Sequence, residues 1–174
     1  MAMLALVGFS ACVPEEDTKM YETSLKVIYT VSEDLLDGLT PMMVLTVNGE
    51  KSQQALERTD FVNVGGNQLK YEKDISYEGE TGKVTMVISY TKKDSYPDKA
   101  SYTIRHSLSA ESVTTCGNSR SSASANGAAL IGSNNSSMSY SEALDETVSR
   151  GTDLLAFGQA QLVSSMSVTV QGKK

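Results

Sequence analysis

Three features predict a mainly β chain: runs of alternating apolar and polar residues, turn-forming clusters between those runs, and an aromatic content dominated by tyrosine. The expected architecture is an antiparallel β-sandwich of about seven or eight strands, with one short helix near 140–150. Successive side chains on a strand point to opposite faces, so a period of two marks a strand with one buried and one wet face. The aromatics are eight Tyr, three Phe and no Trp, and a Tyr ring suits a pleated, half-buried surface.

The elements follow in order. Leu25, Val27, Tyr29 and Val31 share one face of a first strand, with Ile28 interrupting the other. Glu33, Asp34 and Asp37 precede Gly38. They read as a solvated turn, because the twelve-residue spacing and terminal Glu of a calcium loop are missing. Met43, Leu45 and Val47 alternate next, and Asn48-Gly49 suits a tight turn since both residues tolerate positive φ. Glu50 to Leu56 is polar and weakly patterned; Phe61, Val62 and Val64 form a short apolar piece closed by Gly65-Gly66-Asn67.

A three-strand meander is expected after that. Leu69, Tyr71, Ile75 and Tyr77 lie on one face of its first strand, with Lys73 as an exception. Val84, Met86, Ile88 and Tyr90 share a face of the second, and Tyr102, Ile104, His106 and Leu108 a face of the third. His106 thus belongs to an apolar face, where a hydrogen-bonded core or edge residue is expected. A zinc site would lack donors, because the chain has one His and no Cys-x-x-Cys.

Residues 117–138 are almost all Gly, Ala, Ser or Asn; only Arg120, Leu130, Ile131 and Met138 differ. Such a stretch buries too little apolar surface to offset chain entropy alone. It reads as a mobile loop or as strands of small side chains packed under something else. Ser139 and Glu142 have capping-box spacing, so a helix is expected to start there and stop near Arg150, before Gly151. Leu144, Val148 and Leu155 recur near helical spacing, and 152–159 is expected to be irregular or briefly helical. Met166, Val168 and Val170 alternate with Ser165, Ser167 and Thr169 as a last strand before Lys173-Lys174.

Bulk chemistry excludes some functions. The chain has 174 residues, 40% hydrophobic and 21% charged, which suits a single globular domain. Its net charge is -6 and its bases are scattered. Nucleic-acid binding needs clustered Lys and Arg to release counterions, so no nucleic-acid partner is expected.

The first residues read Met-Ala-Met-Leu-Ala-Leu-Val-Gly-Phe-Ser-Ala-Cys. That uncharged run is too short to span a bilayer, which takes about twenty residues, and has the length of a signal-peptide apolar region. Ser10-Ala11 before Cys12 is the small pair that lipoprotein cleavage requires, and Cys12 is the expected lipidation site. No Lys or Arg precedes the run, so 1–11 is expected to be a signal peptide truncated at its start. Pro14 and the acids Glu15, Glu16 and Asp17 suit an extended, solvated tether over 12–22. A single domain then covers 23–174.

In its acidic cluster just after the cysteine, the chain resembles the surface lipoproteins of the Bacteroidetes. The resemblance implies that Glu15, Glu16 and Asp17 act as a surface-export signal and that the protein sits, lipid-anchored, in the outer membrane or at the cell surface. Immunoglobulin-like modules are common in that group, so an immunoglobulin-like sandwich is the nearest topological expectation, although no Cys-Trp-Cys pattern marks it.

An acylated Cys12 leaves Cys116 as a lone thiol. A catalytic thiol wants a nearby His, and only His106 is on offer. No phosphate loop, Gly-x-Ser-x-Gly elbow or His-Glu-x-x-His occurs. The expectation is therefore a non-catalytic envelope lipoprotein without cofactor or metal, anchored in the membrane by lipid and binding a protein or glycan partner. The loops, 117–138 above all, are the expected contacts. The alternatives are an adhesin or fimbria-type subunit assembling by strand exchange and a small hydrolase.

Overall fold

A computed structural model describes residues 21–47, 49–79, 83–116, 118–132, 137–150, 152–158 and 161–167. The elements are β1 (Tyr21–Ser32), α1 (Glu33–Gly38), β2 (Leu39–Val47), β3 (Glu50–Ala55), β4 (Val62–Gly65), β5 (Gln68–Gly79), β6 (Lys83–Lys92), β7 (Thr103–Cys116), β8 (Ser119–Gly132), α2 (Tyr140–Arg150), β9 (Thr152–Gly158) and β10 (Gln161–Ser167). A single 3-10 turn at Arg58–Asp60 joins β3 to β4.

The strands form two antiparallel sheets, β4-β5-β1-β7-β8 and β10-β9-β6-β2-β3. This is the expected β-sandwich. The polar segment 50–55 and the short apolar piece at 62–65 are both strands, which brings the described strands to ten.

Alternation builds the core directly. Leu25, Val27, Tyr29 and Val31 of β1 are buried, as are Val84, Met86, Ile88 and Tyr90 of β6 and Ile104, Leu108 and Ala110 of β7. Each Val, Leu, Ile or Met among them contributes about 1.5–3 kcal/mol on burial. A polar bond crosses this core from sheet to sheet: the Tyr29 and Tyr90 hydroxyls meet at 2.7 Å. His106 is 2% exposed, and its ring meets Tyr90 edge-on at 5.3 Å. The expected core histidine is where its strand face predicted it.

Three sequence expectations need correction, and a fourth region is decided between its two readings. The meander does not exist, because β5 and β7 flank β1 in one sheet while β6 pairs β2 and β9 in the other. Alternation identifies a strand's buried face but carries no information on which sheet the strand joins. The acidic trio is helix α1 rather than a solvated turn: Ser32 caps it, its Oγ accepting from Leu35 N at 3.3 Å, and Leu35 and Leu36 are buried. Residues 152–158 form a strand, not an irregular or helical stretch, paired to β6 and β10. Of the two readings of 117–138, the strand reading holds over 119–132, as one strand laddered to β7 with residue pairs from Thr103↔Gly132 to Cys116↔Ser119. Its backbone groups find partners in that ladder, which outweighs the poor core-forming power of its side chains.

The helix at 140–150 is present with the expected cap. Ser139 N donates to Glu142 Oε2 at 2.7 Å, and Glu142 N donates to Ser139 Oγ at 3.3 Å. Its buried face is Tyr140, Ala143, Leu144 and Thr147, whereas Val148 is exposed and Leu155 belongs to β9. Residues 168–170 of the expected last strand lie outside the described residues.

The chain order gives the sandwich two unlike poles. The strand ends Val47 and Glu50, Gly79 and Lys83, Cys116 and Ser119, and Gly158 and Gln161 fall at the pole where β1 begins. At the opposite pole lie α1, residues 56–61, the 66–67 turn, the long loop 93–102 and α2. Gly38 sits where α1 and α2 touch: a Cβ there would lie 2.4 Å from Leu144 Cδ1 and 2.9 Å from the Tyr140 hydroxyl oxygen.

Candidate binding surfaces at the two poles

The helical pole is organised by side chains that join distant segments. Lys99, on the 93–102 loop, places its Nζ 2.5 Å from Asp34 Oδ1 and 2.6 Å from Asp37 Oδ2. All three are partly buried, with the Asp34 side chain 13% and the Lys99 side chain 19% exposed. The same ammonium stands 5.6 Å from the centre of the Tyr140 ring. Asp34 gathers further partners: Oδ2 accepts from Thr103 N at 2.7 Å, and its carbonyl accepts from the Tyr140 hydroxyl. Arg58 donates to Glu33 at 2.9 Å and Asp37 at 3.5 Å, tying the 3-10 turn to α1.

Aromatic rings floor this cluster. Tyr140 is fully buried and contacts Tyr102 at 5.4 Å and Tyr96 at 6.0 Å between ring centres. The Tyr96 hydroxyl meets Ser141 Oγ at 2.9 Å, and Tyr102 donates to the Met138 carbonyl at 2.8 Å. Lys92 donates to Asp145 at 2.6 Å and to Ser141 Oγ at 3.0 Å. Lys93 N and Nζ donate to the carbonyls of Gly38 and Leu36.

The electrostatics follow from these contacts. Burial works against charge on Lys99, but its bonds to Asp34 and Asp37 outweigh that and hold the ammonium up to about 12. Burial pushes the Tyr140 phenol up to about 12, with Lys99 pulling the other way. The bond to Asp145 raises Lys92, and the bonds to Ser141 and then Lys92 lower Tyr96. This arrangement stabilises a positive charge between two carboxylates over an aromatic face.

The other pole carries a shallow cleft of about 560 Å³. Glu22, Thr23 and Ser24 of β1, Ser76 and Glu78 of β5, and Val113 and Thr115 of β7 line it. Glu22 and Glu78 are direct cross-strand neighbours, and Glu22 accepts from Thr115 at 3.4 Å. Its polar groups are hydroxyls and carboxylates, set among apolar surface that includes Val113, and none of its lining residues is aromatic.

Of the residues singled out in the sequence, Cys12, Glu15, Glu16 and Asp17 lie outside the described residues. Cys116 and His106 are both on β7, ten positions apart. At 3.3 Å per residue, ten positions of strand separate their backbones by about 33 Å. The expected contact segment 117–138 is for the most part strand β8 and not a loop. Sequence reasoning missed the Lys99 seat, although Asp34 and Asp37 are three apart, a spacing that shares one helix face; a short helix hidden in an acidic run was the available signal.

Among the described residues no cluster of His, Cys, Asp or Glu is arranged to hold a metal, and no helix is long and apolar enough to cross a membrane. Compared with protein-family models, curated proteins and solved structures, the chain matches none.

Proposed function

We propose that this protein is a non-catalytic envelope lipoprotein, held at the outer membrane or cell surface through Cys12, whose sandwich offers its helical pole to a protein or glycan partner. The observation that carries this reading is the position of Tyr21. The strand that follows the acidic tether starts at the pole of short connections. Twelve residues of β1 span about 40 Å, so α1, the 93–102 loop and α2 stand at the end remote from the tether. Loops held by a rigid scaffold are where binding residues concentrate, and the long loop of this sandwich lies at that remote end.

Charge adds direction. Segments 33–37, 57–60, 92–99 and 142–146 hold ten acids against four bases, which favours a partner surface of positive charge. In strand neighbours, β4-β5-β1 and β3-β2-β6-β9 follow the D-E-B and C′-C-F-G relations of immunoglobulin-type sandwiches, with β7 in the place of strand A. An immunoglobulin-like binding module is the version of this reading we favour.

Intact mass of the membrane-extracted protein tests the anchor. We expect Cys12 as the first residue, carrying acyl chains; an unprocessed, unacylated chain in the soluble fraction refutes the placement. Crosslinking from intact cells through a photoreactive residue at position 94 or 98, against one at position 51, tests the pole. Crosslinks from position 51 alone refute it.

Strand exchange is supported by a different observation. β4 pairs only with Gln68–Lys70 of β5, so among the described residues Tyr71–Gly79 has β1 as its one neighbour. A partner strand added there would assemble copies head to tail. Lys73 opposes this, since a charge on the inner face of an edge guards it against pairing. A strictly monomeric protein in light scattering at high concentration removes this second reading.

A further inference from the structure

The 93–102 loop is fastened in an unusual way for a ten-residue connection. Its described main-chain bond outside strands and helices is Lys93 N to Gly38 O, at its first residue. Asp94, Ser95, Pro97, Asp98, Ala100 and Ser101 are exposed. Between the ends, two side chains reach inward, and both settle on Tyr140: Tyr96 by ring contact, Lys99 by its ammonium. The loop is therefore a strap, pinned at Lys93 and Tyr102 and clasped in the middle. Tyr140 and Tyr102 beneath it are 0% and 4% exposed.

The clasp has the chemistry of a ligand site. An ammonium lies between two carboxylates at 2.5 and 2.6 Å, with an aromatic face beside it. The same three groups would receive a primary ammonium from elsewhere, since nothing in the seat recognises the loop to which Lys99 belongs. Contacts besides Lys99 help to position the carboxylates. Asp34 is held by Thr103 N, and α1 is capped by Ser32 and packed through Leu35 and Leu36.

We propose that Asp34, Asp37 and Tyr140 form an ammonium-binding site that the strap occupies in cis with Lys99, and that a basic side chain of a partner takes the seat when the strap lifts. Lifting frees two carboxylates and uncovers the Tyr102–Tyr140 floor together, so closed and open pole differ in both charge and apolar surface. Segments held by few buried contacts open locally at low cost, apart from the core. Being tethered, Lys99 competes at high effective concentration, so a free monovalent amine does not displace it from the wild-type protein. The seat is a property of this pole alone and does not depend on lipid at Cys12, so the two readings fail separately.

Chemical rescue tests it. In the purified full chain, Lys99→Ala is expected to speed amide exchange at least tenfold at Lys93, at Thr103 and in α1, where the N–H groups are hydrogen-bonded, while β1 and β6 keep their protection. Millimolar n-butylammonium, against sodium chloride of equal ionic strength, is expected to slow α1 exchange again in that variant and to change nothing in the wild type. Lys99→Arg is expected to keep the strap closed. Lys99→Met keeps the stem over Tyr140 and serves as the second opened variant. Unchanged exchange at Lys93, Thr103 and α1 in both variants, loss of core protection in both, or rescue by butylammonium no better than by sodium chloride overturns the proposal.

Discussion

The two poles of this sandwich are built by different physics. At the pole where β1 begins, strands simply run out and reverse, and order there is backbone order carried by ladders such as β7–β8. At the other pole the segments make few main-chain bonds to each other, and Lys99, Asp34, Tyr140 and Arg58 supply the connections. Ladder order is distributed over many equivalent bonds. Side-chain order is concentrated in a few residues, each open to single substitution. A surface that changes shape for a partner is more readily made from the second kind.

Substitutions can break this contrast, and the largest expected effect lies in the helical pole. Leu144→Ala removes a fully buried side chain where α2 meets α1, with an expected loss of about 2–5 kcal/mol, measured as a shift in the urea midpoint. An equally small cost there as at an exposed strand site would show that α2 is not integral to the core. Gly38→Ala puts a methyl group against Leu144 and Tyr140, and overpacking costs about 1–3 kcal/mol. Calorimetry should show a lower Tm together with faster exchange in both helices.

Alkaline titration sharpens the comparison without mutation. Lys99 and Tyr140 have folded-state values raised from 10.5 and 10.0 to about 12. Groups raised on folding contribute stability that is fully present below their unfolded values and lost as pH rises through the folded ones. Stability should therefore fall between about pH 10 and 12, and fall less steeply in Tyr140→Phe. A flat profile there in the wild type would falsify the linkage.

Smaller effects follow at single contacts. Ser139→Ala deletes the α2 cap, with an expected cost of about 1 kcal/mol seen in thermal unfolding. At the other pole, Glu78→Gln relieves a like-charge pair with Glu22 and should stabilise by a few tenths of a kcal/mol at low salt, on the order reported for cross-strand charge pairs. The gain should vanish at high salt, and its persistence there would point to a cause other than charge.

Much of the architecture was legible because its causes are local. The faces of β1, β6 and β7 follow from alternation, and the α2 cap follows from Ser139 and Glu142, three residues apart. The glycine of the 48–49 turn adopts φ +92°, the positive value that makes Asn-Gly a turn signal. What misled was also local. Residues 152–158 continue the helical spacing of Leu144, and 119–132 have few apolar side chains, yet both are held by ladders to strands distant in sequence. Glu33, Asp34 and Asp37 resembled a wet turn because their acids dominate, while Leu35 and Leu36, which fix α1 to the core, lie between them.

By itself, then, the sequence determined that this chain makes antiparallel strands with one apolar face each, and where most of them start and stop, since those choices depend on neighbours within a few positions. Tertiary structure alone decided that successive strands divide between two sheets, and that Lys99 finds Asp34 and Asp37 from more than sixty residues away. A charge carries no mark of its partner. The pairing exists only once the packing of Leu35, Leu36, Tyr140 and Leu144 has brought the two segments to the same pole.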